Sequence, residues 1–189
     1  MAFCGLKVPH ETARLLAGLE VPGNREPVSS YHVTMFYFGD EVGIDTLADI
    51  VKITYGVTSE TKPFTVRTSQ LTAFPTGDDG RPIICRIESD ALHDLRDKIK
   101  AAYEGVGVEF SNKFPDYKPH VTVAYDKEPE GEFNEQRIPT VEWGAHELVL
   151  WGGDSGDDKL VVQFPFALGA QDKAAARVAQ RYLAARELQ

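Results

Sequence analysis

Basic side chains are scarce in this sequence: lysine and arginine number 20 against 29 aspartates and glutamates, for a formal net charge of −9. Proteins that hold long nucleic acids neutralise many phosphates with Lys and Arg. The shortage lies in the body, because the tail from Gln171 onward carries Lys173, Arg177, Arg181 and Arg186 against only Asp172 and Glu187. An acidic body argues against a long duplex partner and for a small or short phosphate substrate bound in a pocket. Cysteine is nearly absent. Cys4 and Cys85 cannot build a disulfide framework, form no Cys-x-x-Cys zinc pair, and sit in apolar runs where a buried free thiol is the ordinary case. No apolar run approaches the roughly 20 residues that cross a bilayer, and Met-Ala-Phe-Cys-Gly-Leu-Lys-Val lacks a basic leader followed by an apolar stretch. The expectation is a cytoplasmic protein with no membrane partner.

What is present is a regular succession of short elements. Met1 to Val8 reads as a strand ended by Pro9, and His10 to Leu19 as a helix with Leu15, Leu16 and Leu19 at helical spacing. Tyr31 to Phe38 is a strand of β-branched and aromatic residues. Ile44 to Tyr55 is a helix, with Leu47, Ile50, Val51 and Tyr55 on one face. Phe64 to Phe74 and Ile83 to Glu88 make a hairpin around a Gly/Asp-rich turn, and Asp90 to Glu104 is a helix with the stripe Leu92, Leu95, Ile99 and Tyr103. His120 to Tyr125 is a strand and Lys127 to Pro139 an exposed connection. Trp143 to Trp151 and Lys159 to Leu168 are two further strands, and the Ala/Arg-rich tail is helical and suited to docking. Helices interspersed with hairpins predict an α+β protein with antiparallel sheets.

One unit occurs twice: a helix followed by a strand that opens His-x-Thr. Strand alternation places His32, Thr34, Phe36 and Phe38 on one face, with Val33, Met35 and Tyr37 on the other. It likewise groups His120, Thr122 and Ala124 against Val121, Val123 and Tyr125. Imidazole titrates near neutrality, so one ring can take a proton while the other gives one. A threonine hydroxyl is a short, stiff donor for a non-bridging phosphate oxygen. Phosphodiester cleavage would explain that pairing, since preorganised donors can meet the charge developing on phosphorus with no metal or cofactor required. The remaining histidines, His10, His93 and His146, have no such partner, and the spacing of Asp154, Asp157 and Asp158 suits a solvated turn better than a calcium loop.

The motifs His32-Val33-Thr34-Met35-Phe36-Tyr37-Phe38-Gly39 and Lys118-Pro119-His120-Val121-Thr122-Val123-Ala124 resemble those of the 2H phosphoesterase superfamily, the ligT-like family of 2′-5′ RNA ligases and cyclic phosphodiesterases. Glu147-Leu148-Val149-Leu150, with the returning strand, is similar to its closing hairpin, and the likeness runs from about Phe3 to Leu168. Trp151-Gly152-Gly153-Asp154 departs from the family's Leu-x-Ser ending. The resemblance implies a bilobal fold over residues 1–169, two pseudo-symmetric antiparallel sheets lining a central cleft with helices outside, followed by a helical tail at 170–189. It also implies His32 and His120 as acid and base, and Thr34 and Thr122 as phosphate ligands.

The implied substrate is a 2′,3′-cyclic phosphate, a 2′-5′ oligonucleotide or a cyclic oligonucleotide signal. The last is degraded by bacteriophage members of similar size, which would place a phage-encoded chain in the host cytoplasm. The competing readings are an RNA-end-processing ligase and a nucleotide-binding module without turnover. Among the loop and strand aromatics Tyr31, Phe36, Phe74, Tyr117 and Trp151, the candidates to stack a base are Tyr117 and Trp151 first, then Phe36. Lys118 and Arg86 are the candidate cations for the phosphate.

Overall fold

The computed structural model describes residues 1–113, 116–152 and 160–167. The Gly/Asp turn after Gly152 and the tail expected at 170–189 lie outside them. Ten strands and three helices alternate along the described chain: β1 (Ala2–Lys7), α1 (His10–Ala17), β2 (Asn24–Arg25), β3 (His32–Gly39), α2 (Ile44–Thr58), β4 (Phe64–Ala73), β5 (Arg81–Glu88), α3 (Asp90–Glu104), β6 (His120–Asp126), β7 (Gln136–Arg137), β8 (Glu142–Ala145), β9 (Glu147–Gly152) and β10 (Leu160–Pro165). This is the expected α+β arrangement. Among the described residues no helix is long and apolar enough to cross a membrane.

Two antiparallel sheets result. One has the order β10-β9-β1-β3; the other runs β2-β6-β5-β4-β7, with β8 also paired to β4. The expected single strand Trp143 to Trp151 is divided at His146. Glu142–Ala145 pairs with β4 in the second sheet, and Glu147–Gly152 pairs with β1 and β10 in the first. The backbone carbonyl of His146 accepts from Phe166 N–H at 2.7 Å at this crossing. The expected connection Lys127 to Pro139 contains the two-residue strand β7, and β2 lies between the first helix and the first histidine strand, where the sequence gives no sign of a strand. Arg25 of β2 donates to the carbonyls of Ala17 and Leu19, tying the strand to the end of α1.

The expected apolar stripes hold unevenly: α1 ends at Ala17 and buries Thr12, Ala13 and Leu16 while the expected Leu15 is exposed. In α3 the stripe Leu92, Leu95, Ile99 and Tyr103 is buried as the spacing predicts, and Ser89 Oγ caps the first turn by accepting from Leu92 N–H. Helix α2 runs past the expected end at Tyr55 to Thr58, since Thr54 and Thr58 are fully buried and tertiary packing carries the last turn. The Thr54 hydroxyl donates to Ile50 O at 2.7 Å and lies 2.6 Å from Tyr103 Oη, so the buried hydroxyls of α2 and α3 satisfy one another. The apolar faces of both sheets and the helix stripes share one core, which includes Leu6, Val33, Ile50, Cys85, Leu95, Val121 and Leu150.

The two histidine strands carry the same irregularity. Between β1 and β3 the register skips Met35, since Gly5 opposes Thr34 and Cys4 opposes Phe36. Between β5 and β6 it skips Val123, since Ile84 opposes Thr122 and Ile83 opposes Ala124. Each strand therefore bulges at the residue that follows its threonine, and a bulge inverts the alternation beyond it. Phe36 and Ala124, expected beside the histidines, turn into the core and are 2% and 0% exposed. Tyr37 and Tyr125, expected on the buried face, come round to the histidine side, opposite Phe3 and Pro82.

Gly5 lets β1 approach the bulge. A Cβ there would lie 2.1 Å from the carbonyl oxygen of Val33, too close for any side chain. Gly5→Ala is expected to lower stability by about 1–3 kcal/mol through this backbone overlap, read as a reduced urea midpoint with the slope unchanged.

Candidate active site

His32 and His120 occupy equivalent places, each at the start of its strand. Each Nδ1 lies against a backbone carbonyl two residues earlier, His32 on Ser30 O at 2.6 Å and His120 on Lys118 O at 2.7 Å. A carbonyl only accepts, so Nδ1 carries the hydrogen in both rings and Nε2 is left free for chemistry. The strands β3 and β6 approach within 8 Å, Cα to Cα. The rings are near enough that charge on His32 opposes protonation of His120.

Each ring is held by an aromatic neighbour and faces a cation in register. His32 packs on Phe3 at 4.7 Å between centroids, and Phe3 stacks on Trp151 at 4.9 Å and 22°. Trp151 also lies 5.6 Å from His32. His120 meets the edge of Phe74 at 4.7 Å and 82°. Lys7 is the register partner of His32, and Arg86 that of His120. The Nε of Arg86 is buried with no hydrogen-bond partner among the described residues.

Burial is the main influence that holds His120 below the ordinary histidine value. The hydrogen bond to Lys118 O works against it, while His32 and Arg86 push further down. Thr34 and Thr122 remain partly exposed on the same faces as the histidines, and Gly5 opposite Thr34 leaves room beside its hydroxyl. The Tyr125 hydroxyl bonds the Thr122 side chain, and Tyr37 Oη donates to Asp40 Oδ1 at 2.9 Å.

Of the expected substrate contacts, Trp151 and Arg86 stand next to the histidines. Phe36 does not, because the bulge buries it against Tyr103 and Phe110. Tyr117 is also displaced from the stacking role: the Arg96 guanidinium covers its ring at 4.4 Å, His93 packs edge-on at 5.4 Å, and its hydroxyl is buried. Lys118 contributes through its carbonyl, with its side chain in solvent. Tyr31 is buried, its hydroxyl 3.5 Å from Val123 O. Phe3, Lys7, Tyr37 and Tyr125 escaped the sequence reading. Strand register places the first two, and the bulges place the tyrosines.

Known proteins agree with this architecture. TT0787 of Thermus thermophilus superposes with a TM-score of 0.72 at 19% identity, covering 90% of this chain and 99% of that one. A phosphoesterase crystal structure gives 0.66 at 13% identity, over 88% and 98%. Escherichia coli LigT, crystallised with 3′-AMP, gives 0.64 at 13% identity, again over 88% and 98%. No curated protein sequence matches the chain. The family model of the 2′-5′ RNA ligase superfamily matches residues 13–157. The chain belongs to that superfamily, the 2H phosphoesterases, and has their two-sheet fold.

The anchored Nδ1 atoms make a direct expectation for solution spectra. In long-range 15N–1H correlation spectra above the imidazole titrations, both His32 and His120 should appear as the Nδ1–H tautomer. A dominant Nε2–H form for either ring would contradict the geometry.

Proposed function

We propose that the protein is a metal-independent phosphodiesterase that opens a small ribose phosphodiester by paired histidine acid–base catalysis. The observation that carries this reading is the equivalence of the two rings, each fixed through Nδ1 with Nε2 free, on strands that approach one another. His120, held below the ordinary histidine value, is the base: its Nε2 takes a proton from water, whose oxygen forms the new bond to phosphorus. The bond from phosphorus to a ribose oxygen breaks, and Nε2–H of His32 delivers the proton to that leaving oxygen. Thr34 and Thr122 hold the non-bridging oxygens, and Arg86 meets the charge that develops on them.

The nucleoside belongs on the first sheet, where the Phe3–Trp151 stack flanks His32 and offers a base a flat apolar surface. LigT, of the same fold, was crystallised with the nucleotide 3′-AMP, which supports a nucleotide-sized substrate. The acidic body favours the same class. A 2′,3′-cyclic phosphate, a 2′-5′ oligonucleotide and a cyclic oligonucleotide signal all present the required bond, the last being the substrate for a phage counter-defence role. With a ribose hydroxyl in place of water as the attacking group, the same proton transfers join it to a cyclic phosphate while a ring bond from phosphorus to oxygen breaks, which is the ligase reading of the site.

Purified protein in EDTA is expected to cleave at least one of these three classes. Cleavage of none, or activity abolished by the chelator, sinks the proposal. His32→Ala and His120→Ala should each lower kcat by about 10²–10⁴-fold while leaving most of the ligand affinity. A protein that only binds nucleotides would show no turnover in the parent to lose.

The pH profile carries a signed expectation. Protonating His120 removes the base, so kcat/KM falls on the acid side through its depressed pKa. Arg86 is one cause of that depression. Arg86→Met should therefore raise the His120 pKa and shift the acidic limb to higher pH, alongside a loss of rate. An acidic limb left in place would remove Arg86 from the electrostatics of the base.

A further inference from the structure

The two histidine strands come from different sheets, so something must hold their relative position to within the tolerance that proton transfer demands. The bulges complicate this, since each removes a ladder pair, at Met35 in β3 and at Val123 in β6. One side chain of α3 reaches both the bulge of β3 and the segment that leads into β6. Arg96 projects from the flank of α3, beside the buried positions Leu92, Leu95 and Ile99. Its Nε donates to the carbonyl of Met35, the bulged residue after Thr34, at 3.4 Å. Its guanidinium lies 5.3 Å over the ring of Phe36 and 4.4 Å over that of Tyr117. Tyr117 begins the short run Tyr117-Lys118-Pro119-His120, in which Lys118 O fixes the imidazole of His120.

We propose that Arg96 is a positioning residue that sets His120 relative to Thr34 and His32, by bridging the β3 bulge to the segment that orients the second histidine. The proposal rests on the two-histidine reading of the site. Its geometry is particular to arginine. A planar guanidinium can lie over two aromatic rings while an edge N–H reaches a carbonyl, whereas a lysine ammonium is a compact, strongly hydrated point charge. The Nε bond is long, so its value lies in location more than in cohesion. The Tyr31 hydroxyl provides a lesser counterpart: it stands next to His32 and approaches Val123 O, the bulge after Thr122, at 3.5 Å.

Arg96→Met and Arg96→Lys distinguish this role from plain packing. Methionine keeps a flexible stem between the rings, and lysine keeps the charge without the plane or the Nε donor. Both variants should fold, and both should lose roughly 10- to 100-fold in kcat on whichever substrate the parent cleaves, with KM changed by less than about threefold. In both, the His120 imidazole should titrate closer to the ordinary histidine value by NMR as its burial loosens, the largest cause of its depression, while Arg86, His32 and Phe74 still face it. A variant with a lowered melting temperature but parental kcat and an unmoved His120 titration would overturn the proposal, and full activity in Arg96→Lys would do the same. If the parent turns over none of the substrates, the catalytic reading fails while the NMR titration still decides whether Arg96 positions His120.

Discussion

A one-residue bulge after each threonine is the constraint from which the site follows. In an unbroken strand the side chains alternate, and the residue two beyond each threonine would face outward while the tyrosine beyond it was buried. The bulges at Met35 and Val123 reverse that parity at equivalent points. His32, Thr34 and Tyr37 then share one side of β3, and His120, Thr122 and Tyr125 one side of β6. Phe36 and Ala124 become core residues at the point where the strand changes face. Phe36 meets Tyr103 of α3 edge-on, so the irregularity that shapes the site also joins it to the helical layer.

Equivalence of backbone does not produce equivalence of chemistry. His120 pairs in register with Arg86, whose Nε is buried without a hydrogen-bond partner among the described residues, and His32 pairs with the solvent-exposed Lys7. A buried imidazole beside a cation is the harder one to protonate, because both desolvation and charge oppose the added proton. The first sheet adds an aromatic stack that the second lacks, with Trp151 and Phe3 on one side of His32. The asymmetry fits the proposed mechanism, in which the second sheet would prepare the attacking oxygen and the first would receive the nucleoside and the leaving oxygen.

The fold was legible in outline because its signals are local. The stripe Leu92, Leu95, Ile99 and Tyr103 specifies a buried helix face from spacing alone, and Tyr31 to Phe38 announces a strand by composition. The misreadings arose where distant contacts override local preference. Thr58 is drawn into α2 by burial, His146 divides a run that looks continuous, and β2 and β7 exist only because a neighbouring strand offers them hydrogen bonds. Among the site candidates, Trp151 and Arg86 could be chosen by residue type and position in a strand. Phe36 was misplaced because a bulge leaves no mark on hydrophobic alternation, and Tyr117 because its proximity to Arg96 depends on how α3 docks.

By itself, then, the sequence determined the principal helices and strands, the buried face of α3 and the two His-x-Thr triplets, since each depends on interactions within a few residues of chain. It also carried enough of the superfamily's pattern to name the fold. Only the tertiary structure decided which strands adjoin, where β3 and β6 bulge, which tyrosines turn toward the histidines, that Lys7 and Phe3 come to His32 from β1, and that Arg96 reaches the β3 bulge from α3. Those outcomes turn on pairings between residues tens of positions apart. Their energies belong to the assembled sheets and core, and no short stretch of sequence contains them.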